Sequence, residues 1–143
     1  MVFIHQKGDF PADVFSMVGA IVGATLEIYR AALRVLLPTP SKSHYIFNLR
    51  DFARVILGCC LVNKDALENR KAFLRLWVHE VLRVFGDRLA DHTDFVWLYN
   101  LLRECVRSHF RENFDALFEH LGRVDGKVGS SSNTSMAKVL YLC

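Results

Sequence analysis

The chain has 143 residues, about one domain's length. Eighteen Lys+Arg against fifteen Asp+Glu leave +3, too mild a charge to argue for nucleic acid binding. With 52% apolar and 23% charged residues, a natively disordered chain is excluded, and eleven Phe with two Trp can fill a core.

Pro11 suits the first turn of a helix, where its missing N–H would be unpaired anyway. From there Val14, Val18, Ile21, Val22, Tyr29, Leu33 and Leu36 recur at three- and four-residue steps, with Glu27, Arg30 and Arg34 on another face. The pattern predicts a helix over 11–37. Gly19 and Gly23, four apart, are expected to let a neighbouring helix approach closely. The longest apolar run, Val14 to Leu26, is thirteen residues and is expected not to span a bilayer. With no basic-plus-apolar leader ahead of it, composition points to a soluble, intracellular, single-domain protein.

Leu37-Pro38-Thr39-Pro40 ends this helix, because each proline pushes its predecessor out of helical backbone. A stiff connector continues through Ser41-Lys42-Ser43-His44-Tyr45. Asn48 then reads as an N-cap, with Asp51 as a short substitute for the capping-box glutamate. Leu49, Phe52, Val55, Ile56 and Cys59/Cys60 are the apolar stripe of a second helix over 49–61. Asn63-Lys64-Asp65 reads as a turn and new cap. Leu67, Leu74, Trp77/Val78, Val81, Leu82 and Phe85 mark a third helix over 66–89. Glu68, Arg70, Lys71, Arg75, Glu80 and Arg83 are expected on its solvated side, and Gly86 is expected to kink or close it. Asp91 or Thr93 caps a fourth helix carrying Phe95, Leu98, Leu101/Leu102, Cys105, Val106 and Phe110. Phe114, Leu117, Phe118 and Leu121 suggest a short fifth, ending at Gly122. Beyond it the Gly/Ser-rich stretch has no period and reads as a flexible C-terminal tail. No strand pattern or internal repeat is visible. The fold class is all-α, a four- to five-helix bundle.

Catalytic motifs are missing. There is no G-x-x-x-x-G-K-[ST] phosphate loop, no G-x-S-x-G and no Cys/His zinc spacing. His79-Glu80 begins like a helical zinc motif, but Arg83 stands where the second histidine belongs. Asp125-Gly126-Lys127 lacks the oxygen ligands of a calcium loop. Asn133-Thr134-Ser135 matches a glycosylation triplet by chance. Cys59 and Cys60, mid-helix, read as buried small apolar residues. Neither a catalytic residue nor a metal site is therefore expected. Arg50 remains, in the first turn of the second helix just past the Asn48 cap. Free N–H groups and the helix dipole favour an anion there, and a guanidinium adds forked donors suited to phosphate oxygens. A surface ion pair with Asp51 or Asp13 is the competing reading.

The string Leu36-Leu37-Pro38-Thr39-Pro40-Ser41-Lys42-Ser43-His44-Tyr45-Ile46-Phe47-Asn48-Leu49-Arg50-Asp51-Phe52 closely resembles dynein heavy chains. So does Leu74-Arg75-Leu76-Trp77-Val78-His79-Glu80-Val81-Leu82-Arg83-Val84-Phe85-Gly86-Asp87-Arg88-Leu89. Both look like the small helical lid of the third AAA+ module in the motor ring, and the spelling is similar to axonemal chains of the inner-arm, single-headed kind. The resemblance spans about residues 10–127. It implies a lead-in over 1–10, a lid over 11–122 and a non-family tail over 123–143.

By this resemblance Arg50 matches the sensor-2 arginine, which reaches toward the phosphates of a nucleotide held by the large subdomain. Arg83 and Arg88 match family positions, either as contacts to a neighbouring ring module or as structural ion pairs. His44 and Tyr45, in the connector, are further candidates for interdomain contact. The implied parent is an ATP-driven microtubule motor of the axoneme in cilia and flagella. This chain is expected to be a fragment of it that is not itself an enzyme. ATP or ADP with magnesium would belong to the parent module. Its partners would be its own large subdomain and the adjacent module, with the microtubule reached only through the full motor and no membrane or nucleic acid expected. The alternative is an independent helical module that binds a protein partner or nucleic acid. Residues 1–90 carry twelve Lys+Arg against eight Asp+Glu, which is a thin basis for DNA.

Overall fold

Five α-helices form the framework of the described residues, 12–62 and 69–118, in the computed structural model. They are α1 (Ala12–Val35), α2 (Leu49–Cys60), α3 (Arg70–Phe85), α4 (His92–Cys105) and α5 (Phe114–Leu117). A 3-10 turn, Gly86–Arg88, follows α3, and a π-helical turn, Val106–Phe110, extends α4. Among the described residues there is no strand, only an isolated bridge between Thr39 and Lys42 in the proline connector.

The core forms where the helices turn their apolar faces inward. On α1 the buried residues are Met17, Ile21, Ala24, Ile28 and Ala32, with Leu36 just past its end, a three/four spacing that puts all six on one side. From α3 come Phe73, Leu74, Trp77, Val78, Val81, Leu82, Val84 and Phe85, and α4 with its π turn adds Leu98, Leu102, Cys105, Val106 and Phe110. One buried polar contact crosses this core. Trp77 donates from Nε1 to Thr25 Oγ1 at 2.9 Å, and Thr25 passes its own hydroxyl hydrogen to the Ile21 carbonyl at 2.6 Å. Neither group is left unpaired away from water.

Several sequence expectations shift here. Leu33 and Leu49, read as stripe residues, are 43% and 66% exposed, while Asp51 is fully buried. A Cβ at Gly23 would meet the His109 ring at 3.5 Å, an ordinary contact, and one at Gly19 would meet nothing within 4 Å among the described residues, so neither glycine is required for a close approach. Glu80, expected on a solvated face, is 7% exposed and lies against Gly58 of α2. The third helix closes earlier than 89, because Gly86 turns into the 3-10 segment. The cap expected at Asn63–Asp65, the start near 66, the end at Gly122 and the tail from 123 lie outside the described residues.

By length and composition, Ser16–Val35 of α1 would pass as a membrane span, with a mean hydropathy of 1.2. The contiguous apolar run read from sequence had understated this length. A core helix of a bundle passes the same test, and α1 buries its Met17–Ala32 face against its neighbours and bonds Trp77 through Thr25.

Candidate functional site

The N-terminus of α2 is built by a complete capping box. Asn48 has extended backbone, φ −138° and ψ 173°, and its Oδ1 accepts from the Arg50 N–H at 2.9 Å. In return the Asn48 N–H donates to Asp51 Oδ2 at 2.9 Å. Two of the amide groups a helix start would leave open are thereby satisfied, and Arg50 is fixed in the first turn.

The acidic member of this box is not at the surface. Asp51 is gripped by Arg88 of the 3-10 turn, Nη2 to Oδ1 at 2.6 Å and Nη1 to Oδ2 at 3.0 Å, while Arg54 lies 3.7 Å from Oδ1. Arg88 also donates to the Ile46 carbonyl at 3.2 Å and lies over the Phe47 ring, which stacks on Phe85. A buried carboxylate needs such a partner, because desolvation without one would be prohibitive.

The connector is fastened just as closely. Tyr45, 2% exposed, donates to Asp94 Oδ2 at 2.9 Å and accepts from the Ala90 N–H at 2.8 Å. Lys42 reaches the same Asp94 oxygen at 2.6 Å and also pairs with Asp91. These bonds hold the Asp94 carboxyl below the usual carboxylate range, the Lys42 bond first and the Tyr45 bond after it, while Asp91 and Asp94 raise the lysine. His44 Nε2 donates to the Arg88 carbonyl at 3.0 Å. Asp91, at the N-cap position of α4, makes no side-chain cap bond.

Arg88, His44 and Tyr45, candidates for interdomain contact, thus all bond within the chain. Arg83 does so too, donating to Glu80 Oε2 from Nη2 at 2.6 Å and Nε at 3.1 Å, which raises its own already high pKa. Arg50 differs. It is exposed, and among the residues whose side chains are described its guanidinium has neither an ion pair nor a hydrogen bond, with Asp51 committed to Arg88; the competing pair with Asp13 lies outside those side chains. Beside it lie a second exposed cation, Arg54, one turn on, and several exposed apolar residues. Ile46 is 63% exposed, and Leu49, Leu57 and Leu61 are 66%, 56% and 72% exposed. Leu49, Ala53 and Leu57 step by four along α2 to its cap, Leu61, and Arg50 lies one turn before Arg54 and two before Leu57, so one side of the helix carries leucines flanked by two cations.

Sequence reasoning missed the burial of Asp51 and the connector's anchorage. The capping-box spacing pointed to Asp51 but not to Arg88, 37 residues on, and Lys42 and Asp94 are 52 apart. No group of three His, Cys, Asp or Glu able to hold a metal occurs among the described residues.

The family model for the AAA+ lid domain matches residues 21–120. Dynein axonemal heavy chain 12 of Rattus norvegicus is 47% identical over 128 residues, covering 90% of this chain and 4% of that protein. Dynein axonemal heavy chain 3 of Mus musculus is 46% identical over 116 residues, 81% of this chain and 3% of its own length. The Chlamydomonas reinhardtii protein named dynein-1-beta heavy chain, flagellar inner arm I1 complex, is 43% identical over 114 residues, 80% of this chain and 2% of its own. The chain therefore spans only a few hundredths of the length of these relatives.

Proposed function

Because the chain belongs to the AAA+ lid domain family, we propose that it is the lid of the third AAA+ module of an axonemal, inner-arm-type dynein heavy chain, and that Arg50 senses nucleotide held by a large subdomain outside this sequence. The setting of Arg50 supports the sensing role. An exposed guanidinium without a partner among the described side chains stands in the first turn of a capped helix, beside exposed leucines. Forked N–H donors and the positive helix end both favour phosphate oxygens. The leucines beside it suit a subdomain that docks there and keeps water from the contact. Nucleotide would supply the phosphate charge that draws the lid closed, and Arg50 is the side chain that would meet it.

Loss of the terminal phosphate removes an acceptor from Arg50 and lets the lid rotate. The remaining bundle moves as one piece, because the connector, α2 and the start of α4 are tied by the Asp51–Arg88 and Lys42–Asp94 contacts. That rigidity suits a part that relays movement round a ring. The parent would be an ATP-driven microtubule motor of the ciliary or flagellar axoneme, with the adjacent module as the second partner.

The test is Arg50→Ala in an intact parent motor, reading nucleotide affinity at the third module and motility. A charge-assisted hydrogen bond worth about 1.5–3 kcal/mol predicts affinity weakened about tenfold or more. Unchanged affinity together with unchanged motility removes Arg50 from the site.

A further inference from the structure

Arg50 owes its placement to three other residues. Its N–H is held by Asn48 Oδ1, the Asn48 N–H by Asp51 Oδ2, and Asp51 by both terminal nitrogens of Arg88. Capping alone requires only the first two bonds, and a capping-box acid serves equally well in water. Here the acid is fully buried and its partner comes from the turn between α3 and α4. Burying such a pair adds little stability over an apolar pair, so stability alone does not account for it.

We infer that Asp51 and Arg88 are positioning residues for Arg50. They lock the first turn of α2 onto the 3-10 turn, and Arg88 cancels a carboxylate that would otherwise repel any phosphate approaching the neighbouring guanidinium. The inference deepens the phosphate-facing role of Arg50 and rests on it. It also gives displacement of Arg50 a route into the bundle, because Arg88 is bonded in turn to the connector through Ile46 and His44.

Charge counting and positioning predict opposite signs for one substitution. If Asp51 acts only through its charge, Asp51→Asn removes a negative group beside the helix end and strengthens anion binding. If it positions Arg50, Asp51→Asn weakens the part of the binding that depends on Arg50. The experiment titrates inorganic tripolyphosphate into the full chain, followed by backbone amide shifts. It compares wild type, Arg50→Gln, Asp51→Asn, Arg88→Gln and the doubles with Arg50→Gln, and measures hydrogen exchange at the Arg50 amide in each.

Positioning predicts that Arg50→Gln weakens binding about tenfold in wild type and less than about twofold in the Asp51→Asn and Arg88→Gln backgrounds. The Arg50 amide should exchange about tenfold faster in both, while the Val55 and Cys59 amides stay protected. Unchanged exchange at Arg50 in both variants overturns the inference, as does stronger binding in Asp51→Asn with the full Arg50 effect retained. Faster exchange with no effect of Arg50→Gln on wild-type binding would instead remove the phosphate-facing role and leave the positioning intact. If Arg88→Gln unfolds because Asp51 is orphaned, Asp51→Asn/Arg88→Met carries no buried charge and gives the same two readouts.

Discussion

Gly58 sits where α2 crosses α3, and replacing it with alanine tests that crossing. A Cβ there would fall 2.8 Å from Glu80 Cγ, with Cδ and Oε2 nearer still. The overlap involves the stem of the glutamate as well as its tip, so the whole side chain must move. Moving it disturbs two bonds from Arg83 and the burial of a residue only 7% exposed. Overpacking of this kind costs about 1–3 kcal/mol, and breaking the Arg83 contact adds a smaller amount because Arg83 is half exposed. Against this, alanine in a helix interior is favoured over glycine by about 1 kcal/mol. The net expectation for Gly58→Ala is a loss of about 1–2 kcal/mol. In a chain of this length that is a fall in Tm of roughly 4–8 °C by circular dichroism. The companion variant decides the cause. With Glu80→Ala in place the obstruction is gone, and adding Gly58→Ala should raise stability by about 1 kcal/mol instead of lowering it. A stabilising Gly58→Ala in the otherwise unchanged chain would refute the close approach of α2 to Glu80.

Three further expectations follow from the core and the connector. Thr25→Val strands the Trp77 indole N–H in the core and should cost about 1–3 kcal/mol in urea unfolding; a loss under about 0.5 kcal/mol would count against that bond. The thiols of Cys59 and Cys105 are pushed up to about 12, chiefly by burial. Half-buried Cys60 should therefore alkylate well before either at pH 8, as followed by peptide mass spectrometry, and equal rates would contradict the packing. The Asp94 carboxyl is depressed in the folded chain, so its contribution to stability is present above its ordinary value of 3.8 and is lost as pH falls through the lower folded value. Acid titration should release the Tyr45 ring resonance in that range, and Asp94→Asn should flatten the profile; a Tyr45 signal constant down to unfolding would argue against the tie.

Much of the helix framework was legible because a 3.6-residue apolar period leaves few alternatives, and α2 could be read to its capping residue from Asn48 and Asp51. The same period misled where a leucine is not in the core. Leu33 and Leu49 continue the apolar spacing of their helices yet face outward, and hydropathy cannot distinguish a core leucine from one that awaits a partner surface. Glu80 and Asp51 failed in the other direction. Charge predicts solvent, and only the approach of Gly58 and the reach of Arg88 reveal that both are enclosed. Arg50 was legible as a candidate because its place in the first turn is local information. Its freedom from Asp51 was not, because that depends on a residue 37 positions away.

The π turn over Val106–Phe110 gives this stretch an unequal response to gain and loss of a residue. It accommodates more chain per turn than the α-helix before it, and the reversal at Arg111, φ 55°, directs the chain onward to α5. Deleting one residue here would let regular α winding span the same stretch with the downstream phase kept, whereas inserting one more would swing everything downstream by about 100° about the helix axis. Phe110, Phe114, Leu117 and Phe118 would leave the core together. Natural or engineered insertions are accordingly better tolerated in the exposed stretch from Leu37 to Ser41, where no aromatic anchor depends on the phase of a helix.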